Sequence, residues 1–285
     1  MKEKQTIIYI LSNQRSGSTL IENILSKSSQ MVSIGESYLL GGHIQKTGPG
    51  GAWDWNCSCG SSMETCEFWN KVYQKLGVSD PKQIKNTQID APKGKEAAHQ
   101  IEMNEEARSL MNKVYKAVFE ITNCDVLVDS SKEAFYGTSL YQKSPFNFKF
   151  IYLKRDLRAV SISRDKWRKK YNKKDMSLLK LLASNYLHRL TCKSMLRNVK
   201  KEDVFHLKYE EFFKNPQQTL DEMSDFFGFD RYEVPEYMEL NDDHTIAGTP
   251  NRFKKTKIQY DDRWHNVAKR HPLFNGLGYI LNKLG

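Results

Sequence analysis

Ile7-Ile8-Tyr9-Ile10-Leu11-Ser12-Asn13-Gln14-Arg15-Ser16-Gly17-Ser18-Thr19-Leu20 is the segment from which the topology of the chain is read. Its first five residues form an unbroken apolar run, the pattern of a strand covered on both faces in a parallel sheet. In the following Leu20-Ile21-Glu22-Asn23-Ile24-Leu25, the apolar residues recur at helical spacing. The small polar residues between the two runs therefore form a strand-to-helix turn, where the first helical N–H groups lack partners inside the helix. Gly17 permits close backbone approach, and the hydroxyls of Ser16, Ser18 and Thr19 can cap the helix or meet a ligand. Such a turn holds a phosphate through backbone donors and the helix dipole, with Arg15 as a planar cationic fork beside it.

Met31-Val32-Ser33-Ile34 reads as a second strand, so residues 20–27 link two parallel strands in a right-handed βαβ unit. Gly35-Glu36 then emerges at the carboxyl edge shared with the first turn, where open α/β sheets bind ligands. Val126-Leu127-Val128 delivers Asp129-Ser130-Ser131-Lys132 to that edge, and the run 148–153 delivers Lys154-Arg155-Asp156-Leu157-Arg158. Val204-Phe205-His206-Leu207 is a last core strand, ending at Lys208-Tyr209-Glu210. Helices are expected over 66–76, 105–121 and 176–200, and from Asn215-Pro216, a cap followed by an N1 proline. Residues 261–284 are expected to form one or two terminal helices packing Trp264, Leu273 and Tyr279.

The expected fold is α/β, a P-loop-like three-layer α/β/α arrangement around a central parallel sheet of about five strands. One domain over 1–285 accommodates it, with loop insertions at about 41–62 and 79–100. The first insertion is rich in Gly, Ser and Trp and is expected over the ligand edge, with Trp53, Trp55 and Trp69 near a pocket. The second is polar and Lys-rich and reads as a flexible excursion.

A hydrophobic fraction of 39% supports a core, while a mean hydropathy of −0.66 implies long polar surface segments. Neither a secretory leader pattern nor an apolar stretch of membrane-spanning length is present, so a cytoplasmic protein is expected. The formal charge of +10 points to an acidic partner. No nucleic-acid motif with interleaved aromatics accompanies it, so nucleic acid is not expected. Cys57, Cys59 and Cys66 lack the paired C-x-x-C spacing and read as reduced thiols. A zinc site would need a fourth ligand, for which His43 is the nearest candidate, and no metal is expected.

The turn 15–19 lacks the Lys and first Gly of the nucleoside-triphosphate loop G-x-x-x-x-G-K-[ST]. Arg15-Ser16-Gly17-Ser18-Thr19 instead resembles the 5′-phosphosulfate loop of sulfotransferases that use 3′-phosphoadenosine 5′-phosphosulfate (PAPS). Arg155 with Ser163 resembles that family's 3′-phosphate signature, an Arg closing a strand and a Ser on the next helix. Gly248-Thr249-Pro250-Asn251-Arg252-Phe253-Lys254-Lys255 belongs to a basic segment, about 248–260, similar to the family's cofactor-closing loop. Tyr209 falls where related enzymes carry a Tyr near the nucleotide. Gly35-Glu36 and Lys132 are similar to the catalytic Glu and Lys of the tyrosylprotein branch, and Cys57-Ser58-Cys59-Gly60 with Cys66-Glu67-Phe68-Trp69 resembles bacterial members.

The resemblance implies sulfuryl transfer from PAPS to a hydroxyl or amine, in line, with Glu36 as general base and Lys132 and Arg15 at the bridging oxygen and leaving phosphate. It implies Arg15, Ser16, Gly17, Ser18, Thr19 and Leu20 at the 5′-phosphate, and Arg155, Ser163, Arg252, Phe253, Lys254 and Lys255 at the 3′-phosphate, with Arg158 an alternative to Arg155. The acceptor is left open among a carbohydrate, a lipid headgroup, a phenol and a natural-product hydroxyl. A kinase-like phosphotransferase and a non-catalytic nucleotide or nucleic-acid binder are the competing readings.

Overall fold

The computed structural model describes residues 5–47, 55–93, 97–238, 243–249 and 255–285. The apolar run becomes β1 (Thr6–Ser12), buried along its whole length. Its side chains alternate between two cores, Ile7, Tyr9 and Leu11 on one face and Ile8 and Ile10 on the other. Both faces are covered, which is why the run carries no polar residue. With β2 (Met31–Gly35), β3 (Val126–Lys132), β4 (Asn147–Lys154) and β5 (Val204–Lys208) it forms a five-stranded parallel sheet of order β2-β3-β1-β4-β5.

Helix α1 (Ser18–Leu25) covers one face through Ile21, Ile24 and Leu25, together with α8 (Tyr209–Phe212) and α9 (Pro216–Phe227). Helices α3 (Glu67–Lys75), α4 (Ala97–Thr122) and α5 (Ala134–Lys143) cover the other; α2 (Leu40–Ile44) lies nearby. A third cluster forms where α6 (Leu157–Lys170), α7 (Leu178–Met195), α10 (Trp264–Lys269) and α11 (Pro272–Leu284) meet. A short antiparallel ribbon pairs β6 (Tyr237–Met238) with β7 (Thr256–Lys257). Local signals set the ends: Asp156 caps α6 by accepting from the Arg158 N–H, and Gly228, at φ +78°, ends α9.

The described part of 79–100 is not a loose excursion. Ile84 and Ile89 are buried among its polar residues and anchor it. Thr87 Oγ1 donates to the Tyr38 carbonyl (3.1 Å) and accepts from the Gly41 N–H (3.1 Å). The Asp90 N–H donates to Asn104 of α4 at 3.1 Å, and α4 already begins at Ala97. At the C-terminus Trp264 is buried as expected, but Leu273 and Tyr279 are 65% and 53% exposed; Phe274, Gly278 and Leu281 form the packing face of α11. No helix among the described residues is long and apolar enough to cross a membrane.

Strand order dictates what meets at the carboxyl edge. Read across the sheet, the strand ends present Glu36, Lys132, the turn 13–17, Arg155 and Tyr209 in that order.

Candidate functional site

The turn after β1 is held in a left-handed backbone conformation at Arg15 (φ +69°) and Gly17 (φ +98°). A Cβ on Gly17 would meet the Tyr209 ring at 2.5 Å, so conformation and close approach both require glycine. Asn13 anchors the turn by donating to the Asn185 carbonyl on α7 at 2.9 Å. The hydroxyl of Ser16 is buried beneath it with no hydrogen-bond partner among the described residues.

Arg155, closing β4, is buried and donates from Nη1 to the Arg15 carbonyl at 3.3 Å. Its guanidinium lies 4.2 Å from the centroid of the Tyr209 ring, and Nη2 is 3.8 Å from the Asp261 carboxylate. Its Nε has no partner among the described residues. Arg15 Nε donates to Ser163 Oγ on α6 at 3.2 Å. Burial, and then the neighbouring Arg155, push the Arg15 guanidinium below its ordinary value, the mark of two cations gathered where an anion would relieve them. Arg158 is engaged elsewhere. It grips both Asp156 carboxylate oxygens (3.0 and 2.6 Å), donates to Asn275 Oδ1 (2.7 Å) and lies over the Trp264 ring.

At the other end of the edge, Lys132 Nζ is 2.6 Å from Glu36 Oε1, with the two side chains only 7% and 13% exposed. Lys132 therefore pairs with neither Asp129 nor Glu133. The Glu36 N–H donates to the Ile246 carbonyl at 2.8 Å, and the Ile246 N–H donates to Ile34 at 2.9 Å, so a distant segment braces the end of β2. Below the pair lies Asp129, fully buried. It accepts from the Ser131 N–H (2.8 Å), Ser131 Oγ (2.5 Å), Tyr115 Oη (2.6 Å) and Ser37 Oγ. Ser37 follows Glu36 and Ser131 precedes Lys132, so one carboxylate ties both strand ends together. Burial raises the Asp129 carboxyl above the usual range while its four donors oppose the rise. Sequence reasoning missed this hub; the run Asp129-Ser130-Ser131 was its only trace.

A second buried carboxylate was also missed. Glu22, on the inward face of α1, accepts from Ser33 Oγ (2.5 Å) and Ser130 Oγ (2.6 Å). Burial pushes its carboxyl up to about 7 despite those donors. An acidic residue inside the apolar stripe 21, 24, 25 was the available signal.

One cavity of about 900 Å³ is lined by Arg15, Gly17, Ser18, Thr19, Leu20, Glu36, Lys132, Arg155 and Tyr209. Ser16 and Ser163 are not in the lining; Ser16 is fully buried, and Ser163 accepts from Arg15, which lines it. Lys257 and Tyr260, from the segment 248–260 read as cofactor-closing, also line it, as do Arg164, Trp167 and Arg263, which were not anticipated. Lys255 is not in the lining; its ammonium sits 4.7 Å from the centroid of the Tyr237 ring, and Lys257 lines the cavity instead. Arg252, Phe253 and Lys254 fall outside the described residues, as does Trp53. Trp55 packs edge-on against His43, and Trp69 is fully buried; neither lines the cavity. Cys57, Cys59 and Cys66 converge with His244, not with His43, because residues 243–245 are laid across their loop.

The sequence profile described as the sulfotransferase family matches residues 8–233. No curated protein matches the chain in sequence. Among solved structures, the sulfotransferase domain from the curacin biosynthetic pathway is similar with a TM-score of 0.59 at 19% identity, covering 93% of this chain and 90% of that one. The sulfotransferase domain of the Synechococcus PCC 7002 olefin synthase gives a TM-score of 0.57 at 20% identity, covering 93% and 89%. Both likenesses concern the fold.

Proposed function

The chain belongs to the sulfotransferase family, and from that premise we propose that it moves a sulfuryl group from PAPS to a hydroxyl or amine of its acceptor. One observation carries the reading: a single cavity is bounded by a carboxylate–ammonium pair at one end and by two gathered arginines at the other. The co-substrate supplies an activated sulfuryl group on a phosphate leaving group. The residues fit it. Two buried polar atoms without partners among the described residues, Ser16 Oγ and Arg155 Nε, lie at the turn and strand end that would take phosphate.

In this reading the turn 15–20 holds the 5′-phosphate through backbone N–H groups, hydroxyls and the α1 dipole. Arg155, aligned by Tyr209 and Asp261, takes the 3′-phosphate, with Ser163 positioning Arg15. Glu36 accepts the acceptor proton, a step worth roughly 10²–10⁴-fold in rate. Lys132 orients Glu36 through their 2.6 Å contact and offers its remaining N–H donors to the leaving oxygen. A sulfuryl group bears less charge than a phosphoryl group, so these cations suffice at the leaving phosphate and transfer calls for no divalent ion. Tyr38, Leu39 and Gln88 line the cavity on the chain segments nearest Glu36 and form the wall for the acceptor.

The test is calorimetric titration with 3′-phosphoadenosine 5′-phosphate (PAP), without added divalent cation, against adenosine 5′-phosphate. Binding that requires the 3′-phosphate is expected. Glu36→Gln should retain that affinity and lose about 10²–10⁴-fold in PAP release from PAPS across a panel of hydroxyl acceptors. Equal or absent binding of both nucleotides would overturn the reading.

A further inference from the structure

We propose that Cys57, Cys59, Cys66 and His244 hold one zinc ion, a closed structural centre that staples the segment bracing Glu36 to the loop ahead of α3. The four ligand atoms lie within 4.8 Å of one another. Cys66 Sγ is 3.3 Å and Cys57 Sγ 3.6 Å from His244 Nδ1, and Cys59 Sγ is 3.7 Å from Cys66 Sγ. Zinc–sulfur bonds of about 2.3 Å and zinc–nitrogen bonds of about 2.0–2.1 Å at tetrahedral angles put S···S at about 3.8 Å and S···N at about 3.6 Å. The three separations of 3.3–3.7 Å fall close to those values, and the other three lie within 4.8 Å. A disulfide, by contrast, needs sulfurs about 2.05 Å apart, and all three cysteines are free thiols. Three thiolates and one imidazole form a Cys₃His set, soft and four-coordinate, which suits zinc.

The surroundings hold the ligands as a metal site requires. The Gly60 N–H donates to the Cys57 carbonyl and the Cys57 N–H to Ser61, both at 2.9 Å, folding the C-x-C-G turn. Gly60 adopts φ +90°, which glycine permits. Cys66 immediately precedes α3, its N–H bonded to Ser62 at 2.9 Å. The His244 ring stacks parallel on Phe68 at 4.7 Å, which holds the plane of the ring whose Nδ1 faces the sulfurs. Trp69 Nε1 donates to the His244 carbonyl at 3.0 Å, and Ser58 and Thr245 exchange bonds of 3.1 and 2.8 Å.

None of the four ligands lines the large cavity. His244 stands two residues before Ile246, whose carbonyl receives the Glu36 N–H. Beyond it, Gly248 and Thr249 line the cavity wall. Cys57 and His244 are 187 positions apart, so the ion would close a long loop and set the backbone under Glu36. The site has no open position and takes no part in group transfer. It stands independently of the sulfuryl reading.

The experiment is metal analysis of the full chain purified under reducing conditions, desalted after exposure to excess zinc. About one zinc per chain is expected. Cobalt exchanged into the site should give tetrahedral ligand-field bands and thiolate-to-cobalt charge transfer. Cys59→Ser, at an exposed position, should keep the fold and weaken zinc binding by about 100-fold or more. Chelation should lower Tm by roughly 10 °C, recovered by zinc. Substoichiometric zinc in folded, reduced wild-type protein, or a cobalt spectrum without thiolate bands, overturns the site. Zinc loss that leaves Tm unchanged overturns the stapling role.

Discussion

Glu22→Gln tests how the protein manages a carboxyl inside its core. Burial moves the Glu22 carboxyl from 4.5 up to about 7 in the folded chain, with Ser33 and Ser130 opposing, Lys132 helping them and Glu36 adding to the rise. Below pH 4.5 both folded and unfolded chains carry the proton and this group costs nothing. Between 4.5 and 7 the unfolded chain ionises while the folded chain does not, so stability falls as pH rises; above 7 the loss is constant. At about 1.4 kcal/mol per pH unit the full loss is roughly 3–4 kcal/mol, of which roughly 2–3 kcal/mol develops between pH 5 and 8. Gln removes the titration and keeps the shape. Ser33 Oγ has a second acceptor in the Val128 carbonyl at 3.4 Å, so its hydroxyl can turn and receive the amide. Urea unfolding of both proteins across pH 5–8 measures the difference. With a slope near 3 kcal/mol per M, the Gln variant should gain roughly 0.8 M in midpoint relative to wild type on going from pH 5 to pH 8. A difference in midpoint that stays constant across that range would refute the argument.

Other substitutions separate binding from support. Gly17→Ala forces a side chain into positive φ and against the Tyr209 ring; it should lose about 2–4 kcal/mol in urea unfolding and weaken PAP binding measured by calorimetry. The two neighbouring arginines should behave oppositely. Arg155→Ala should weaken PAP binding by about 100-fold. Arg158→Ala should leave that affinity unchanged and reduce stability by about 1–3 kcal/mol, because its partners Asp156, Asn275 and Trp264 join α6 to α10 and α11. Equal affinity losses in the two variants would contradict their assignment.

Period and punctuation carried most of the fold. The apolar runs at 7–11 and 126–128, and 148–153 interrupted only by Lys149, announce strands covered on both faces, and a small-residue turn followed by a helix announces an anion site. Each depends on residues close in sequence, so Arg15, Glu36, Lys132, Arg155 and Tyr209 could be assigned to one edge before any contact was known. The pairing among them could not. Lys132 has Asp129 and Glu133 as sequence neighbours, yet strand order puts β3 beside β2, and its ammonium meets Glu36. Arg158 looks as available as Arg155 until Asp156 and the C-terminal helices claim it. The Asp129 hub joins residues from β3, α4 and the turn after β2, and the thiol cluster takes its fourth ligand from His244, 178 positions beyond Cys66. Local pattern reports which face a residue occupies, because burial follows period. Partners across the sheet and between loops are chosen by packing, which brings distant segments within hydrogen-bonding reach and leaves no regular spacing in the chain.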